Sequence, residues 1–97
     1  MLMKAEYQEW QEVIELIQRS AETGQQEALL TMLLTPDERE SVIARVNILC
    51  ELLKGELSQR QISQLLGVGV ATITRGSAEL KRQEQEQKEQ LMSLLLK

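Results

Sequence analysis

Apolar positions along this chain recur with the spacing of amphipathic helices, and no stretch alternates as a strand requires. Trp10, Val13, Ile14, Ile17 and Ala21 fall on one helical face by the i, i+3, i+4 rule. Gly24 stands where that helix must stop, and Ala28, Leu29, Met32 and Leu33 predict a second, shorter one. Thr35, Pro36 and Glu38 then give a strong start signal. Thr35 offers a capping hydroxyl, Pro36 suits the first helical position, and Glu38 completes a capping box. The helix they open runs through Val42, Ile43, Val46, Leu49, Leu52 and Leu53 to a stop at Gly55.

The most informative segment is Ser58 to Gly76, S-Q-R-Q-I-S-Q-L-L-G-V-G-V-A-T-I-T-R-G. Ser58 and Gln61 form a second capping box. Ile62, Leu65 and Leu66 share a face, and Val70 and Ile73 resume the spacing after a turn. Gly67 sits where the chain must become left-handed, and Ser63 is small where the two helices should cross. A helix, a glycine turn and a helix are the pattern of a DNA-reading helix-turn-helix, whose second helix enters the major groove. Arg82 to Gln90, R-Q-E-Q-E-Q-K-E-Q, holds no Gly or Pro and reads as a solvated helix face. Leu91, Leu94 and Leu95 follow as an apolar stripe. The expectation is an all-α chain, a single domain over residues 1–97 with its helix-turn-helix at about 59–82.

Composition narrows this. The 97 residues are 42% hydrophobic, which excludes disorder and suits one domain. With no Phe, one Trp and one Tyr, the core is expected to be aliphatic and mostly Leu. A chain this short buries a limited core and would gain from dimerising. One Cys and no His exclude an internal disulfide and leave no Cys/His zinc set. The start, M-L-M-K-A-E, lacks a signal peptide's apolar run, and no apolar run nears membrane-spanning length. A cytoplasmic protein without a membrane partner, metal or cofactor is expected. Lacking His, an activated Cys or a clustered carboxylate pair, the chain is not expected to be an enzyme.

Net charge is −4, which taken alone argues against nucleic acid. Its distribution reverses that: residues 1–35 carry −4, residues 36–56 carry −2, residues 57–82 carry +3 and residues 83–97 carry −1. The one basic block is the helix-turn-helix, and a local field steers a protein onto phosphates. Gln59 and Arg60 lie at the start of its first helix, where Arg60 could read guanine bidentately. Val70, Ala71, Thr72 and Thr74 begin the second helix, short enough for its backbone to approach a groove, and Lys81 completes the DNA-facing set. By themselves, Arg45 and Arg75 read as members of surface ion pairs and Thr35 as a helix cap. A helical partner-binding module without DNA affinity is the competing class.

T-P-D-E-R-E, G-E-L-S-Q-R-Q-I and G-V-G-V-A-T-I-T-R-G-S strongly resemble the tryptophan repressor family. The match is collinear from about Tyr7 to Lys97, Q-E-W near the start agrees, and I-T-R-G-S after A-T is far more specific than a generic helix-turn-helix. The resemblance implies six-helix subunits in an intertwined homodimer that binds L-tryptophan as corepressor and then palindromic operator DNA. It implies that Arg45 and Arg75 sandwich the indole, Arg75 also meeting the ligand carboxylate, with Thr35 beside that carboxylate. The backbone carbonyls of Met32 and Leu34, from the partner subunit, would accept from the ammonium, and Gly76 would let the ligand approach the backbone. Stacking of two guanidiniums on an indole and Arg pairing with a carboxylate are sound chemistry for such a ligand.

This chain departs from the family's usual residues at several points. Glu79 stands where the best-known members have Ser near the ligand ammonium. It suits either pairing with that ammonium or an i, i+4 bridge to Arg75 that competes with the ligand. Ser63 and Asn47 replace basic residues, which weakens phosphate contacts. Lys81 to Gln85 lacks a helix breaker, leaving the last two helices open to joining or exchanging. The alternative function is a helix-turn-helix regulator not gated by tryptophan, or one answering to another amino acid.

Overall fold

The structure, a computed structural model, describes residues 3–96. Among them are six α-helices and no strand: α1 (Trp10–Glu22), α2 (Gln26–Leu33), α3 (Pro36–Lys54), α4 (Gln59–Leu66), α5 (Val70–Lys81) and α6 (Gln85–Leu95). The chain groups into two units, one up to Arg39 and one from Glu40 onward.

In the first unit α1 packs on α2. The stop at Gly24 forms as expected, with φ at +72°. The Gly24 N–H reaches the Ala21 carbonyl at 3.3 Å and the Gln25 N–H the Ser20 carbonyl at 2.7 Å, closing a Schellman motif. The capping box at Thr35 is present in both halves. The Glu38 N–H donates to Thr35 Oγ1 at 3.2 Å, and the Thr35 N–H donates to Glu38 Oε1 at 2.9 Å. Hydrogen bonds from the Thr35 backbone first, and from its side chain second, hold the Glu38 carboxyl below its ordinary value. The stabilisation is therefore present above the ordinary glutamate range and is lost as pH falls through the lowered value.

In the second unit α3, α4 and α5 each send one isoleucine to the centre. Ile62 and Ile73 are 0% exposed and Ile48 is 2% exposed, with Leu52, Leu57, Leu66 and Val68 packed around them. The expectation of a mostly Leu core is corrected here. Composition counts leucines but does not place them: Leu30, Leu33, Leu65 and Leu94 are exposed, and the leucines at the core form its rim.

The chain after α5, left open between joining and exchanging, forms a break. No Gly or Pro interrupts it, yet α5 and α6 are separate helices. The last turn of α5 tightens, the Arg82 N–H reaching Glu79 O at 3.2 Å and the Gln83 N–H reaching Leu80 O at 3.1 Å. Glu84 is extended (φ −72°, ψ 157°), and its N–H donates to Gln87 Oε1 at 3.2 Å. An E-x-x-Q cap thus restarts the helix inside what read as one continuous solvated face. Among the described residues no helix is long and apolar enough to cross a membrane.

Candidate functional site

The segment Ser58 to Gly76 folds as a helix, a turn and a helix. Ser58 and Gln61 form the expected capping box, with Ser58 Oγ accepting from the Gln61 N–H at 3.1 Å and Gln61 Oε1 accepting from the Ser58 N–H at 2.8 Å. Gly67 ends α4 at φ +67°, ψ 32°, a left-handed conformation that costs a residue with a Cβ about 1–2 kcal/mol. Ser63, expected to be small at the helix crossing, also makes a bond. Its hydroxyl donates to the Val68 carbonyl at 2.6 Å, fastening α4 to the turn. Thr74 of α5 lies 2.8 Å from the carboxamide of Gln59 on α4 and 3.0 Å from its own helix's Val70 carbonyl. The Thr74 hydroxyl has one proton, which it offers to two acceptors, Gln59 Oε1 and the Val70 carbonyl.

The start of α5 carries no such fastening. Gly69 holds the N-cap position in extended backbone (φ −69°, ψ 145°) with no side-chain cap. The first N–H groups of a helix have no partner within it, and here none comes from a capping side chain. Val70 and Ala71 beside them are exposed and short, as are Arg60, Thr74 and Lys81 in the sense of exposure. A helix N-terminus with no capping side chain and small flanking residues suits phosphate. Gln59 is half-buried and already bonded to Thr74, so among the expected DNA residues it is the one held by the protein itself.

Thr72, Arg75, Gly76 and Glu79 share one face of α5 by i, i+3, i+4, i+7 spacing. With Arg45, Ile48 and Leu49 of α3 they line a cavity of about 340 Å³, within the usual range for small-molecule sites. Four of the residues expected to meet the ligand, Arg45, Arg75, Gly76 and Glu79, are thus brought together. Among the described residues neither Arg45 nor Arg75 forms an ion pair, which corrects the bare-sequence reading of them as surface salt-bridge members. Glu79 does not bridge to Arg75 either; it pairs with Arg82 at 2.9 Å.

Gly76 adds an independent pointer. It sits inside a helix, where Gly is less favourable than Ala by about 1 kcal/mol. A Cβ there would meet only Ile48 Cγ2 at 3.4 Å and Leu52 Cδ1 at 3.7 Å, ordinary side-chain contacts. The fold of this chain does not require the glycine.

Met32, Leu34 and Thr35 belong to the other unit. Met32 borders a cavity there with Leu16, Arg19, Ser20 and Leu29, Leu34 follows α2 in extended backbone, and Thr35 is occupied as a cap. Sequence reasoning missed three lining residues. Ile48 and Leu49 lie at i+3 and i+4 from Arg45, a spacing that could have flagged them, and Thr72 was assigned to DNA but is half-buried in the cavity wall.

The chain is similar to known proteins of one family. A family described as "Trp repressor protein" matches residues 8–95. The "Trp operon repressor homolog" of Vibrio parahaemolyticus is 64% identical over 95 residues, covering 98% of this chain and 92% of the relative. The protein of the same description from Aliivibrio fischeri is 66% identical over 93 residues, covering 96% and 86%. That from Vibrio cholerae is 57% identical over 96 residues, covering 99% and 93%.

Proposed function

This chain belongs to the Trp repressor family of transcription regulators, which are not enzymes, and on that premise we propose how it works as a tryptophan-dependent repressor. L-tryptophan occupies the cavity between α3 and α5. Arg45 and Arg75 flank the indole from the two helices, by stacking and cation–π attraction, over a floor of Ile48 and Leu49. Arg75 also pairs with the ligand carboxylate. Gly76 leaves room for the ligand against the helix backbone. The single observation that carries this reading is the cavity itself: two unpaired guanidiniums, an apolar floor and a dispensable glycine converge directly behind the reading helix.

The DNA face runs along α5 from its open start, with Val70, Ala71 and Thr74 in the first turns, Lys81 at the far end, Arg60 on α4, and Gln59 bonded to Thr74. The working form is a cytoplasmic homodimer. Trp10, Met32 and Leu94 are 73%, 85% and 80% exposed, and Ile43 and Leu65 are exposed as well, an amount of open apolar surface that a second copy would cover. In that dimer the carbonyls of Met32 and Leu34 from the second subunit accept from the ligand's ammonium, and Thr35 lies beside its carboxylate. Two reading helices then meet successive major grooves about one helical turn apart, the established docking geometry of helix-turn-helix dimers, this family included.

The ligand acts only by preferring the DNA-competent arrangement, so the coupling is reciprocal. Operator titration with and without tryptophan tests the proposal. Tryptophan should tighten operator binding, and operator should tighten tryptophan binding by the same factor. Equal operator affinity in both conditions would overturn it. Arg75→Leu should remove the response while leaving the fold intact, since Arg75 is exposed and takes no part in the core.

A further inference from the structure

The cavity wall carries charges of both signs. Arg45 and Arg75 are its cations and Glu79 its anion, placed one helical turn beyond Arg75 on the same face of α5. An apolar pocket that needed only to hold an aromatic acid would have no use for a carboxylate. That group repels an anionic ligand at close range and attracts an ammonium. The partner Glu79 has in this structure, Arg82, is an i, i+3 neighbour, and both side chains are largely exposed, at 68% and 73%. Exposed pairs of this kind hold weakly and exchange partners readily. Glu79 is therefore kept near the cavity but not committed to its neighbour.

We infer that Glu79 is a specificity-determining residue that makes the cavity discriminate in favour of ligands bearing an ammonium group. Arg82 holds its carboxylate while the site is empty. This rests on the reading of the cavity as the tryptophan site and adds to it the basis of selection. The zwitterionic amino acid is admitted, and an aromatic acid with the same ring and carboxylate but no amine is penalised.

Calorimetry of the full-length protein at low salt, with L-tryptophan and with indole-3-propionate, tests this. The readout is the ratio of the two dissociation constants. Glu79→Gln should weaken tryptophan by about two- to fivefold, the range of an exposed ion pair, and tighten indole-3-propionate, so that the ratio collapses. Arg82→Gln should move the ratio the other way by releasing Glu79 to the ligand. Glu86→Gln removes a like charge from α6, away from the lining, and should leave the ratio unchanged. Raising the salt should shrink the wild-type preference. The inference is overturned if both compounds bind but Glu79→Gln keeps the wild-type ratio, or if Glu79→Gln and Arg82→Gln shift it in the same direction. If neither compound binds the wild-type protein, the tryptophan reading fails and this inference fails with it.

Discussion

Helices α4 and α5 are joined by only Gly67, Val68 and Gly69, and they begin in opposite ways. At the start of α4, Ser58 and Gln61 satisfy each other's backbone N–H groups, so that end is closed by the chain itself. At the start of α5, Gly69 supplies no capping side chain, and of the first-turn N–H groups only that of Thr72 is taken, by the Gly69 carbonyl at 3.2 Å. The two helices agree in what they give the core, one isoleucine each at 0% exposure. They differ in what they leave free. Two helices can thus be equal partners in folding while only one keeps its polar groups available for a ligand.

That comparison can be broken at several points. The largest effects should fall where the helices are alike. Ile62→Ala and Ile73→Ala should each cost about 2–5 kcal/mol, read from urea unfolding. A large mismatch between the two would mean the core is not shared as described. Next comes Gly69→Asp, which gives α5 the kind of closed, acidic start that α4 lacks need of. Unfolding free energy should hold steady or rise by a few tenths of a kcal/mol, while operator affinity falls at least about tenfold through repulsion of phosphate. Fluorescence anisotropy with labelled operator measures this, and unchanged affinity would erase the distinction between the two N-termini. The converse change, Ser58→Ala, should cost about 1 kcal/mol of stability and leave operator affinity of the folded protein where it was. The smallest stability effect belongs to Gly76→Ala. It should be neutral or stabilising by up to about 1 kcal/mol and yet weaken tryptophan, because the fold has room for the methyl group and an occupied cavity does not.

Much of this was legible in the sequence because it is local. The caps at Thr35 and Ser58 and the left-handed stops at Gly24, Gly55 and Gly67 depend on a few neighbouring residues, and all form. The break before α6 is equally local. It carries neither Gly nor Pro, and its only local signal is the E-x-x-Q cap of Glu84 and Gln87. Ligand residues were legible in a different way. Arg45, Arg75, Gly76 and Glu79 came from a family resemblance, since nothing in their spacing says that two helices bring them together. What neither route revealed was tertiary: that Ile rather than Leu fills the centre, that Thr72 faces a cavity, and that Ser63 and Gln59 serve as fasteners.

Those fasteners have a thermodynamic consequence. The Ser63 hydroxyl on the Val68 carbonyl and the Gln59 side chain on Thr74 remove internal freedom from the turn and from the α4–α5 pair before any DNA arrives. Less side-chain and loop disorder then remains to be frozen out at the operator, so a smaller share of the contact energy is offset by ordering. In a temperature series the association of Ser63→Ala with operator should carry a more unfavourable entropy than that of the wild type. Affinity supported in this way is less sensitive to ionic strength than affinity supported by charge.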